Sequence, residues 1–112
     1  MIWAWVTTRF EGYHKWSAAP EEVAFLRDKH RHIFHVKVYV EQLHDNRDVE
    51  FILLNRMLGT VIDGFDKENL GSCEMVAEEI MAEMRECYAN RSLLVDVSED
   101  GENGAAVDYD RQ

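Results

Sequence analysis

The chain has 112 residues, 46% of them hydrophobic and 11% aromatic, and a formal net charge of −10. That length supports one domain spanning residues 1–112 with a core of its own and excludes two. The acidity excludes nucleic acid and anionic membrane as main partners, and the sequence contains no run of 18 apolar residues that could form a spanning helix.

The charge is uneven. Residues 1–48 carry 7 basic and 7 acidic side chains, whereas residues 49–112 carry 5 basic and 15 acidic ones. Arg9, Lys15, Arg27, Lys29 and Arg31 lie in the neutral half, around the histidines discussed below, and suit either solvated strand ends or a small anionic ligand. Met1 to Val6 lacks a basic leader and predicts a strand, not a signal peptide.

Residues 2–14 alternate, with Ile2, Ala4, Val6, Phe10 and Gly12 in phase with His14. This predicts a long first strand with His14 at its far end. Pro20, the only proline, marks a loop that a short helical turn can follow. Residues 30–41 predict a second strand. His32, Phe34, Val36, Val38 and Val40 share one face, and His35 points the other way. The polar stretch Gln42–Asp48 predicts a turn into a third short strand, Asp48 to Phe51.

Leu53, Leu54, Met57, Leu58, Val61 and Ile62 then recur at helical spacing. After a linker over 63–71, Ser72 is placed to cap a second helix with an apolar stripe of Cys73, Val76, Ala77, Ile80, Met84, Cys87 and Tyr88. Glu78, Glu79 and Glu83 form its solvated face. Cys73 and Cys87 sit about 21 Å apart along that helix and cannot bridge, which fits a reducing cytoplasm. Residues 93–97 and 105–109 predict two closing strands around a turn rich in Gly, Asn and acidic residues. Strands grouped around a helix pair define an α+β class: an antiparallel sheet with helices on one face.

His30 and His32 form a His-x-His pair whose imidazoles share a strand face, and His14 on a neighbouring strand completes a facial set of three nitrogens. Three histidines with an open fourth position are the ligand set of a catalytic zinc.

In this order the segments resemble the 6-pyruvoyl-tetrahydropterin synthase / 6-carboxytetrahydropterin synthase family over nearly the whole chain. Phe10-Glu11-Gly12-Tyr13-His14 is similar to the family's Phe-x-Ala-x-His strand. His30-Arg31-His32 before the valine-rich strand looks like its His-Gly-His. Ser72-Cys73-Glu74 looks like the Thr-x-Glu that opens its second long helix, and Val95 to Glu99 looks like its closing strand. The resemblance implies the tunnelling fold: a four-stranded antiparallel sheet with two helices on one face. It also implies a homo-oligomer in which three sheets join edge to edge into a barrel, and two trimers stack into a hexamer. His14, His30 and His32 would hold zinc. Glu99 would anchor a pterin-like small molecule of the dihydroneopterin triphosphate class through its amino and ring N–H groups.

The chain departs from an active synthase of this family, a carbon–oxygen lyase, at the proton-transfer residues. Leu26 stands where the family has a cysteine, and the segment Asp63 to Leu70 lacks the histidine of its Asp-His pair. Asp28 is the one local carboxylate that could replace the cysteine, and His44 falls in a distant turn. The alternative is a non-enzymatic or repurposed protein of the same fold that binds a pterin- or purine-like ligand. A cupin is disfavoured, because the glutamate expected after its His-x-His is replaced by Val36 or Lys37.

Overall fold

The computed structural model describes residues 1–111. Four strands form one antiparallel sheet in the order of the sequence: β1 (Ile2–His14), β2 (His30–Gln42), β3 (Leu93–Glu99) and β4 (Asn103–Tyr109). Between β2 and β3 run two helices, α1 (Phe51–Asp63) and α2 (Cys73–Cys87), and a short 3₁₀ segment, Glu21–Arg27, joins β1 to β2. The chain is therefore α+β, with helices packed on the sheet, as the alternation and the helical stripes predict.

β1 and β2 pair over their whole length, from Ile2 opposite Gln42 to His14 opposite His30. Ala4, Val6 and Phe10 of β1, Phe34 to Val40 in alternation on β2, and Leu93, Val95 and Val97 of β3 face the helices and are buried. Leu54, Leu58 and Ile62 of α1 and Val76, Ala77, Ile80 and Met84 of α2 close over them. The other sheet face is open in the single chain. Trp3 and Trp5 lie exposed there, with Lys37 Nζ 4.1 Å from the Trp5 ring centroid and 5.0 Å from that of Tyr39. None of the described helices is long and apolar enough to cross a membrane.

Two sequence expectations are corrected. No third strand forms at Asp48 to Phe51. Instead, Gln42 Oε1 accepts from the Val49 N–H and Asp48 Oδ2 from the Leu43 N–H, so side chains close the loop that a returning strand would have closed. Glu50 then caps α1 by accepting from the Ile52 and Leu53 N–H groups, and the helix begins at Phe51. Cys87 is exposed, not on the buried stripe, whereas Met81 is buried.

That loop is pinned by Arg91, which pairs with Asp48 and donates to the Glu41 carbonyl 3.1 Å away. The guanidinium, with the Leu43 N–H, holds the Asp48 carboxyl down at about 2. A carboxyl depressed in the folded state stabilises it above the unfolded value of about 3.9 and ceases to do so as pH falls through the folded value. Urea denaturation between pH 5 and 2 should therefore show wild type losing stability between about pH 4 and 2. Arg91→Leu should lose less across that window; equal losses would rule out the pair as the source.

Candidate metal centre

The antiparallel register builds the site. His14, the last residue of β1, lies directly opposite His30, the first of β2, and His32 lies opposite Gly12. Directly and diagonally opposed side chains on one face are in mutual reach. The ring centroids are 4.6 Å apart for His14 and His30, 5.2 Å for His14 and His32, and 5.0 Å for His30 and His32. One nitrogen from each ring lies within 4.8 Å of the other two, so the three can hold a metal ion. Gly12 lies beneath them: a Cβ there would meet the Leu70 side-chain methyl, which would have to shift, and lie 3.2 Å from the Phe34 ring.

Each imidazole is held from behind. His14 Nδ1 donates to the Gly71 carbonyl at 3.0 Å, His30 Nδ1 to the Asp28 carbonyl at 2.8 Å, and His32 Nδ1 to Asp100 Oδ2 at 2.7 Å. A hydrogen bond at Nδ1 fixes the tautomer and leaves the Nε2 lone pair for a metal. Among the described residues, His32 Nε2 is buried and finds no hydrogen-bond partner. A buried unpaired nitrogen is costly in a folded protein, and a metal ligand bond satisfies it. The residues thus fit a bound ion on their own geometry.

The outer partners come from three places. The linker after α1 runs beside the end of β1: Tyr13 N–H donates to the Lys67 carbonyl, and Leu70 N–H donates to the Tyr13 carbonyl. This parallel bridge carries Gly71 to His14. Asp100, in the β3–β4 turn at φ +59°, accepts from the Ile33 N–H at 2.9 Å as well as from His32. Those two hydrogen bonds, the backbone one first, hold its carboxyl below the usual range. Asp28 contributes its backbone carbonyl, not its carboxylate.

Glu99, the last residue of β3, reaches the same point. Its Oε2 lies 3.0 Å from His14 Nε2 and 3.8 Å from His32 Nε2, while Oε1 accepts from Asn103 Nδ2 at 3.1 Å. Beside the triad is a cavity of about 600 Å³, with His14 and His30 on one wall and Trp16, Leu26, Cys73 and Met75 around it. Burial, and then the Glu99 charge, push the Cys73 thiol up to about 12, so it stays protonated at neutral pH.

Residues set aside in the sequence lie where they were expected. His35 lines a recess on the opposite sheet face. His44 follows the far end of β2, near Asp48. Of the basic residues near the histidines, Arg27, Lys29 and Arg31 pair with Glu21, Glu68 and Glu11, whereas Lys15 stands on the cavity wall. Sequence reasoning missed Asp100, Asn103 and Gly71, and that Cys73, buried on α2 as expected, also lines the cavity. Only the Asp100-Gly101 turn signal hinted at the first.

Fold and site together define an α+β protein with a three-histidine centre at one end of its sheet. No family model matches the chain, and no curated protein matches it.

Proposed function

We propose that this protein is a zinc protein of the 6-pyruvoyl-/6-carboxy-tetrahydropterin synthase type that binds a pterin-like heterocycle in the cavity beside its three histidines. The observation that carries the reading is the convergence of three imidazoles, each fixed through Nδ1, against a cavity with a carboxylate at its edge. Bound zinc would polarise a side-chain oxygen of a dihydropterin. The chain's own residues bind and orient. Glu99 supplies the acceptor that a 2-amino-4-oxo-pyrimidine edge requires, and Trp16 and Met75 give apolar surface for the ring. The open sheet face and the free edges of β1 and β4 suit a trimer-based homo-oligomer that pairs edge to edge. Two unbridged cysteines suit the cytoplasm.

The residues around the cavity suit binding better than turnover. Leu26 lines the cavity where the family has its cysteine, and it carries no proton. A second reading, a lyase with altered proton transfer, would have to draw on Glu74 on the same wall, since the Cys73 thiol stays protonated. The experiment is a melting series on zinc-loaded protein with dihydroneopterin, sepiapterin and guanine. Ligand at a hundredfold its dissociation constant should add about 2.7 kcal/mol of stability. Glu99→Ala should remove that gain and His35→Ala should not. A melting curve unmoved by all three compounds contradicts the binding reading. Chromatography of dihydroneopterin triphosphate incubated with the protein decides between binding and turnover.

A further inference from the structure

We propose that Glu99 is the fourth protein ligand of the metal, so that the free protein holds its ion in a closed shell of three histidines and one carboxylate. The proposal rests on the metal-centre part of the function proposed above, and the heterocycle plays no part in it. Four ligands on a tetrahedral ion, with bonds of about 2.05 Å, lie about 3.4 Å from one another. Glu99 Oε2 stands 3.0 Å from His14 Nε2 and 3.8 Å from His32 Nε2, on either side of that spacing.

The competing explanation is a simple ion pair in which a protonated His14 donates to Glu99. It leaves His32 Nε2 buried without a partner, since 3.8 Å is too long for a hydrogen bond. An ion held by the three histidines would satisfy that nitrogen and lie beside Glu99 Oε2, on the side of His14 and His32. Glu99 is also held as metal ligands are. Asn103, four residues on across the β3–β4 turn, donates to Oε1, which leaves Oε2 directed at the histidines. The carboxylate is backed by the fold as each imidazole is.

A closed shell changes how the site works. Metal centres with four protein ligands are generally structural, and catalytic ones keep a position open. A heterocycle that engages Glu99 has to draw the carboxylate off the metal first.

The test is azide titration of the cobalt(II) protein, followed by its visible d–d bands. Wild type should take up cobalt and keep its bands unchanged at azide concentrations that shift those of Glu99→Ala, where a small anion can enter. Chelator competition should show the variant's metal affinity lower by at least about tenfold. A Glu99→Ala protein that keeps its circular dichroism and melting profile yet holds no cobalt also supports the assignment. Should that variant misfold, Glu99→Gln, which keeps the side-chain volume, takes its place. Azide bands that appear equally in wild type overturn fourth ligation by Glu99 and leave the three-histidine centre standing. Failure of wild type to take up cobalt at all overturns both.

Discussion

Replacing His32 with alanine is expected to abolish metal binding while leaving the metal-free fold intact. Even changes to groups behind a metal's ligands weaken affinity by roughly 10–100-fold, and removal of a ligand exceeds that. The metal-free stabilities should agree within about 1 kcal/mol, because Asp100 keeps its bond from the Ile33 N–H when the imidazole is gone. The difference opens once metal is added. At free metal a thousandfold above its dissociation constant, wild type gains about 4 kcal/mol, which for a chain of this size raises melting on the order of 10 °C or more. His32→Ala should gain almost none of it. His35→Ala, on the opposite sheet face, serves as the control and should gain all of it. A variant that melts with metal as wild type does would show that His32 is not a ligand.

Phe34→Ala is expected to cost more than any other core change near the site, about 3–5 kcal/mol in urea denaturation of the metal-free protein. Phe34 is fully buried. It stacks on Phe10 with centroids 5.5 Å apart and presents its ring to His14 at 5.3 Å and to His32 at 5.9 Å, both near perpendicular. Its loss removes aromatic packing and the floor against which two imidazoles stand. Total stabilities of about 5–15 kcal/mol leave little margin for such a change. Phe34→Leu should cost less and still weaken metal affinity, because a leucine leaves part of that floor open. A cost below about 1 kcal/mol for Phe34→Ala would mean that the site collapses without consequence and that the floor does not matter.

The sheet was legible because its buried apolar residues share one parity, with half-buried Thr8 the one gap along β1 after Ala4. From Ala4 to His14 and from His32 to Val40 the buried positions keep to period two, so both the strands and the face bearing the histidines followed from the pattern. That His14 stands directly opposite His30 is set by the β1–β2 register across the loop that contains Pro20, which alternation alone does not fix. The stretch Asp48 to Phe51 misled because Val49 is buried beside polar neighbours, which resembles alternation over four residues. What decides it is the Glu50 cap together with the Gln42 and Asp48 loop contacts. Glutamate is not among the usual N-cap residues, so the helix start carried no clear signal.

The outer partners of the triad were not legible, for a different reason. Gly71 and Asp100 reach His14 and His32 from 57 and 68 residues away. Each is placed by a turn or a linker rather than by a periodic element. Glu99 was found through the family resemblance, but its position against His14 Nε2 depends on the offset between β2 and β3, which sets Phe34 opposite Glu99. Sequence spacing does not encode that offset. Cys87 was misassigned because the stripe of α2 was extended to its last turn, where the thiol is solvent-exposed.

The most direct test of the account is elemental analysis of wild type purified without added metal, beside His14→Ala prepared identically. The account predicts stoichiometric zinc in wild type, removable by a strong chelator and restored on adding zinc back, and none in the variant. Metal-free wild type that fails to take up zinc on reconstitution, or equal zinc in both proteins, would contradict it.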